Sequence, residues 1–206
     1  YLGSEAGSAI AAILAGDVNP SGKLPFTFPA ALEDVGAHKL GDYPGVLRAD
    51  GSNIVDEKYN EGIFVGYRWA DKQKTKPLFP FGHGLSYTTF KYGKAVADKK
   101  VMGADETLTI IVPVTNTGSR EGSEVVQLYI SDLKSSLPRP VKELKGFSKV
   151  RLAPGETKEI TFTVNEDALK FFDDTRHQWV SEAGKFEAVI ASSATDVKSR
   201  VPFELK

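Results

Sequence analysis

The sequence predicts a mainly β protein whose larger part, residues 86–206, is an antiparallel β-sandwich. Three observations carry this. Apolar and polar residues alternate in separate runs after Ser86, turn-forming residues divide those runs, and clear helical spacing is confined to one short early segment.

Leu108, Ile110, Val112 and Val114 alternate with Thr109, Ile111, Pro113 and Thr115. The same period of two recurs at Val126, Leu128 and Ile130, at Ile160, Phe162 and Val164, and at Phe186, Ala188 and Ile190. Alternation at this period gives a strand one apolar face, and two such faces closing on each other make a sandwich. Asn116-Thr117-Gly118, Pro138-Arg139-Pro140, Ala153-Pro154-Gly155 and Ala183-Gly184 supply the turns. Spacing of this kind fits about seven strands. The sequence has no cysteine, so the inter-sheet pair of an immunoglobulin domain is absent and the fibronectin type III-like form fits better. Asn165-Glu166-Asp167-Ala168-Leu169 reads as one helical turn between sheets, and Trp179 is expected in or beside the core.

Ahead of the sandwich, residues 5–15 read as a helix. Ala6, Ala9, Ile10, Ile13 and Leu14 recur at helical spacing, Ser4 is a plausible N-cap and Gly16 ends the last turn. Leu24-Pro25-Phe26-Thr27-Phe28-Pro29 reads as a proline-limited edge strand. One helix and one strand cannot bury a core alone, so this piece is expected to complete a domain. Residues 31–85 show little period and are expected to lack secondary structure. Their aromatic stretch from Tyr59 to Trp69 argues for an extended linker draped over a neighbouring surface. The expected divisions are therefore 1–40, an incomplete domain end, 41–85, an interdomain linker, and 86–206, the sandwich.

Composition narrows the function classes. The 206 residues carry a formal net charge of −1, so no overall field favours nucleic acid or an anionic membrane. No apolar run reaches the roughly 18 residues of a membrane span. His38, His83 and His177 lie far apart, without metal-ligand spacing. Neither a Gly-x-Ser-x-Gly elbow nor a dinucleotide fingerprint occurs. No catalytic, metal or cofactor group is therefore assigned within the chain. It begins at Tyr1 and its one methionine is Met102, which sets the expectation that it was cut from a longer polypeptide.

Several motifs then occur in a fixed order. Gly3-Ser4-Glu5-Ala6-Gly7 is followed by Asn19-Pro20-Ser21-Gly22-Lys23-Leu24-Pro25, and then by Tyr59-Asn60-Glu61-Gly62-Ile63-Phe64-Val65-Gly66-Tyr67-Arg68. Pro80-Phe81-Gly82-His83-Gly84-Leu85-Ser86-Tyr87-Thr88 comes next, and after it Val114-Thr115-Asn116-Thr117-Gly118 and Leu144-Lys145-Gly146-Phe147. In this order they resemble the C-terminal portion of glycoside hydrolase family 3, the β-glucosidase kind. The resemblance implies the end of an α/β sandwich domain, a linker and a fibronectin-like domain. It further implies a bacterial, periplasmic or secreted, exo-acting retaining enzyme that hydrolyses terminal β-D-glucosyl residues of a β-glucoside or oligosaccharide. In such an enzyme one carboxylate attacks the anomeric carbon while a second protonates the leaving oxygen, roughly 5–5.5 Å away. The family's nucleophile and acid/base both belong upstream of this chain, so the chain alone is expected to be inactive. Its implied partner is the remainder of the same enzyme, possibly as a separate chain.

Three residues remain candidates for sugar contact: Glu5, Tyr59 and Trp69. Glu5 either orients a sugar or complements its helix dipole. Tyr59 and Trp69, with Phe64 and Tyr67, either stack on an aglycone or anchor the linker. Arg68 is expected to be a structural hydrogen-bonding hub, and Asp56-Glu57, Glu33-Asp34 and Asp173-Asp174 to be solvated surface charges. The rival readings are a stand-alone carbohydrate-binding or adhesion sandwich, which needs exposed aromatics on the sandwich itself, and the tail of a β-xylosidase.

Overall fold

The computed structural model describes residues 3–206, so the first two positions of the 1–40 segment lie outside it. Strands β3 (Phe90–Tyr92) and β4 (Val96–Ala97) both pair antiparallel with β6 (Leu108–Asn116), near its two ends. Strand β9 (Thr157–Val164) pairs with β6 along Leu108 to Thr115. The facing sheet runs β5 (Val101–Met102), β13 (Val197–Leu205), β12 (Gly184–Ala191), β7 (Gly122–Asp132), β8 (Glu143–Leu152). Because β3 and β4 share the same partner strand and β5 is a two-residue parallel edge, the sandwich works with about the seven strands expected.

The period-two reading places the core correctly. Leu108, Ile110, Val112 and Val114 are fully buried, and Val126, Leu128, Ile130, Ile160, Phe162, Val164, Phe186, Ala188 and Ile190 join them in one cluster. The β8–β9 connection crosses between sheets at Ala153-Pro154-Gly155, where Gly155 takes the left-handed conformation at φ 77° that a side chain would resist. The expected helical turn between sheets forms at Glu166–Ala168, with the Asn165 side chain accepting from the Ala168 amide.

Strand β7 departs from simple alternation. Val126, Leu128 and Ile130 face the core, yet Gln127, Tyr129 and Ser131 on its other face are buried as well. Tyr129, Val189, Ala191 and Ala194 form a second cluster, covered by Tyr67 and Phe81. Part of the linker therefore packs on the sandwich's own outer face.

Five expectations are corrected. Residues 24–29 form no strand: Pro25 and Pro29 lack amide protons, and the segment makes one isolated bridge, Phe28 to Phe79. Residues 31–85 do carry secondary structure: a 3-10 turn at Leu32–Asp34, α2 (Gly36–Lys39), the hairpin β1 (Val46–Leu47) with β2 (Val55–Asp56), and α3 (Tyr67–Gln73). Trp179 lies on the separate hairpin β10 (Phe171–Asp173) with β11 (Gln178–Val180), 66% exposed and edge-to-face with Phe172, not in the core. Asp173 is buried, its carboxylate accepting from the Thr175 and Arg176 amides. Helix α1 (Ala6–Ala15) forms as expected, with Gly16 left-handed after it, but Glu5 occupies the N-cap position and caps with no side-chain bond.

Candidate functional site

The N-terminal segment is tied to the sandwich by polar contacts between residues far apart in sequence. The Asn19 carbonyl accepts from the Ser86 hydroxyl (3.0 Å) and the Tyr87 amide (2.8 Å), while its amide group donates to the Glu121 carbonyl (2.9 Å). Lys23 reaches Glu124 at 3.1 Å, and the Tyr92 hydroxyl donates to the same carboxylate oxygen at 3.0 Å. Burial and the neighbouring Glu124 charge both push the Tyr92 phenol well above its ordinary range. Gly84 passes so close to the Gly22 carbonyl that a Cβ there would meet it at 2.3 Å.

Helix α3 is clamped to the sheet in a comparable way. Tyr67 accepts from the Leu144 amide (2.9 Å), Arg68 pairs with Glu143 (3.1 Å), and Asp71 pairs with buried Lys142. Among the described residues Arg68 makes this one ion pair, so the hub expected of it falls instead on Glu143, the partner it shares with other cations. Glu143 also receives Arg139 (2.7 Å), which is itself paired with Asp132 (3.0 Å).

With α3 so fixed, Trp69 is buried, 6% exposed, against Gly36; a Cβ at Gly36 would touch its ring at 3.0 Å. It lines a largely apolar cavity of about 330 Å³ with Thr27, Pro29, Val35, Glu61 and Phe64. Tyr59 sits elsewhere. Its neighbour Asn60 is held by buried Asp42 through backbone (3.1 Å) and side-chain (2.7 Å) bonds, while Tyr59 is 77% exposed. Glu5 is exposed at the start of α1. Neither Glu5 nor Tyr59 is among the residues lining the Trp69 cavity, so the three candidates do not form one constellation.

The distribution of exposed apolar side chains is informative. Of the exposed large hydrophobics among the described residues, nineteen lie before residue 88 and only seven after it. They include Ile10 and Leu14 on α1, which has an apolar sequence but no buried residue. A helix of that composition needs a partner surface.

Sequence reasoning missed the roles of Asn116, Gln127 and Tyr129. Asn116 reads as a turn residue but is fully buried: it donates to the Arg120 (2.7 Å) and Leu152 (3.0 Å) carbonyls and accepts from the Thr88 hydroxyl (2.7 Å) and Gly118 amide (3.0 Å). Gln127 donates to the Ser192 carbonyl (2.8 Å) and accepts from the Tyr129 hydroxyl (2.6 Å) beneath Gly82. The one available signal was the nearly unbroken apolar run Val125-Val126-Gln127-Leu128-Tyr129-Ile130, which suits a strand covered on both faces.

Comparison with known proteins agrees with this architecture. Residues 1–87 match the family model described as "Glycosyl hydrolase family 3 C-terminal domain", and residues 124–194 match "Fibronectin type III-like domain". "Beta-glucosidase BoGH3A" of Bacteroides ovatus is 50% identical, with 99% of this chain and 27% of that protein aligned. "Thermostable beta-glucosidase B" of Acetivibrio thermocellus is 46% identical over 96% of this chain and 25% of its own length. The crystal structure of a beta-glucosidase from Kluyveromyces marxianus in complex with glucose superposes with a TM-score of 0.84 at 39% identity, covering 97% of this chain and 23% of that one. Fungal as well as bacterial proteins are thus similar, and the bacterial origin expected from the sequence is not singled out. The chain spans about a quarter of the length of the relatives it matches. With its two matched domains in the order that the motifs suggest, this chain belongs to glycoside hydrolase family 3, as the C-terminal portion of that architecture.

Proposed function

We propose that this chain is the C-terminal part of an exo-acting retaining β-glucosidase that releases terminal β-D-glucosyl residues. The nucleophile and the acid/base belong to the remainder of the enzyme. This chain's part is to dock on that remainder through residues 3–87 and to stabilise it through the sandwich. The observation that carries the reading is the crowding of exposed apolar side chains, Ile10, Leu14, Phe26, Leu32 and Leu78 among them, into the segment matching the family's C-terminal domain. The β-glucosidase names of the relatives supply the substrate class. Tyr59, exposed beside a pinned turn, and Glu5, exposed at the start of α1, are carried forward as candidate sugar contacts.

The test compares the intact enzyme with the 206-residue chain on an aryl β-glucoside, following the released anomer by proton NMR. The intact enzyme is expected to release β-glucose first, and the chain alone nothing. Hydrolysis by the chain alone would overturn the proposal, and a strong preference for xylosides would replace glucosidase with xylosidase.

A second reading has one observation in its favour. Trp179 and Phe172 are exposed aromatics on the β10–β11 hairpin beside the sandwich sheets, an open aromatic surface of the kind a carbohydrate-binding module uses. Glycan-array binding by the chain that disappears in Trp179→Ala would favour that reading.

A further inference from the structure

Four buried side-chain polar atoms lack a hydrogen-bond partner among the described residues, and the residues that carry three of them line one cavity. They are Thr27 Oγ1, Glu61 Oε2 and Trp69 Nε1. A buried N–H and a buried carboxylate oxygen left without partners are each costly, and three residues of this kind around one cavity mark a place where a partner is missing. The other charged groups at the cavity do not satisfy them. Asp34 accepts from the Ala31 amide (3.2 Å), and Lys76 lines the cavity without an ion pair to Glu61. Lys72 sits over the Phe64 ring at 3.6 Å.

The three atoms specify the guest. Glu61 calls for a cationic or strongly donating group, Trp69 can only donate and so calls for an acceptor, and Thr27 serves either way. Val35, Phe64, Val65, Pro29 and Pro77 provide apolar wall for a methylene stem. A polypeptide loop bearing a Lys or Arg offers all of these at once: the side-chain cation, its aliphatic stem and a backbone carbonyl. A sugar fits less well, because it needs an open aromatic face and Trp69 is 94% buried against Gly36. The surroundings agree, since Phe26, Phe28, Leu32, Val65, Leu78 and Phe79 leave exposed apolar surface in the same segment. That segment falls within the family's C-terminal domain, not the sandwich.

We infer that the cavity between α3 and residues 27–36 is a socket for a basic side chain, with its adjoining peptide carbonyl, from the remainder of the enzyme. This rests on the proposal above that such a remainder docks on residues 3–87.

The test is Glu61→Gln made in two contexts. In the 206-residue chain the substitution removes an unpartnered carboxylate, so the melting temperature is expected to stay or rise. In the intact enzyme it leaves a buried cation unpaired, and the transition is expected to fall by about 2–3 °C. Equal effects in both contexts would overturn the inference. So would disappearance of the difference in Lys76→Met, which would make Lys76 the partner. A second measurement does not depend on the variant folding. The chain has two tryptophans, so the indole N–H signal of Trp69 can be assigned with Trp179→Phe and titrated. Methylguanidinium is expected to shift it saturably and D-glucose to leave it in place; the reverse would overturn the socket in favour of a sugar site. Activity on the aryl β-glucoside is followed in parallel. An active intact enzyme with no context dependence sinks the socket alone. An inactive intact enzyme sinks the proposed function while leaving the Glu61 comparison interpretable.

Discussion

Asn116→Ala should be among the most damaging single changes in the sandwich, although the residue lies at a turn and carries no charge. Its side chain makes four hydrogen bonds, two donated and two accepted, and is fully buried. It joins the lead-in at Thr88, the end of β6, the Gly118 turn and the end of β8. Truncation leaves the buried Thr88 hydroxyl and the Leu152 carbonyl without this partner. At about 1–1.5 kcal/mol for each of these two bonds, and somewhat less for the two more accessible ones, the loss comes to about 3 kcal/mol. For a chain of this size that is a fall in melting temperature of about 6–12 °C. Urea unfolding of the 206-residue chain, followed by far-UV circular dichroism, gives the midpoint shift. Asn116→Asp separates polarity from position: it keeps the two accepting contacts, loses the two donating ones and buries a charge, so it should be no more stable than the alanine variant. A loss below about 1 kcal/mol in Asn116→Ala, with an unchanged denaturant slope, would refute the account.

Three further outcomes follow from the same geometry. Gly82→Ala should cost about 2–4 kcal/mol, because φ is 79° and the new Cβ would lie 2.5 Å from the Gln127 amide; unchanged thermal unfolding would show that Gln127 swings away freely. Lys23→Met should cost about 3 kcal/mol by leaving buried Glu124 with Tyr92 as its one remaining donor, and Lys23→Met/Glu124→Gln should recover most of it; additive losses in the double-mutant cycle would count against a coupled pair. Glu182 is held below its ordinary pKa, chiefly by the Ser136 hydroxyl and amide. A carboxylate whose folded pKa is depressed adds stability above its unfolded pKa of about 4.3 and loses it as pH falls through the folded value. Glu182→Gln should therefore flatten the stability profile between about pH 5 and pH 3, and an unaltered profile in acid-denaturation midpoints would refute the assignment.

The residues that were legible in the sequence are those whose role is set by near neighbours. Leu108 to Val114, Ile160 to Val164 and Phe186 to Ile190 declare strand and inward face together, because side-chain direction alternates with every residue. Gly16 and Asn165 mark helix ends for similarly local reasons. The order of short motifs likewise carried the family. Tertiary structure decided the rest. Asn19 and Glu121 are separated by 102 positions, Lys23 and Glu124 by 101, and Lys142 and Asp71 by 71, so no local pattern could pair them. Trp179 reads as a core residue because tryptophan in a strand pattern usually packs, yet its strand belongs to a hairpin outside both main sheets. Trp69 reads as one aromatic among several, and only the clamping of α3 onto β8 buries its ring beside Thr27 and Glu61. Local alternation therefore fixed which residues face inward, while the hydrogen bonds that join the segments, and the polar atoms they leave without partners, depended on chain returning to itself from far away.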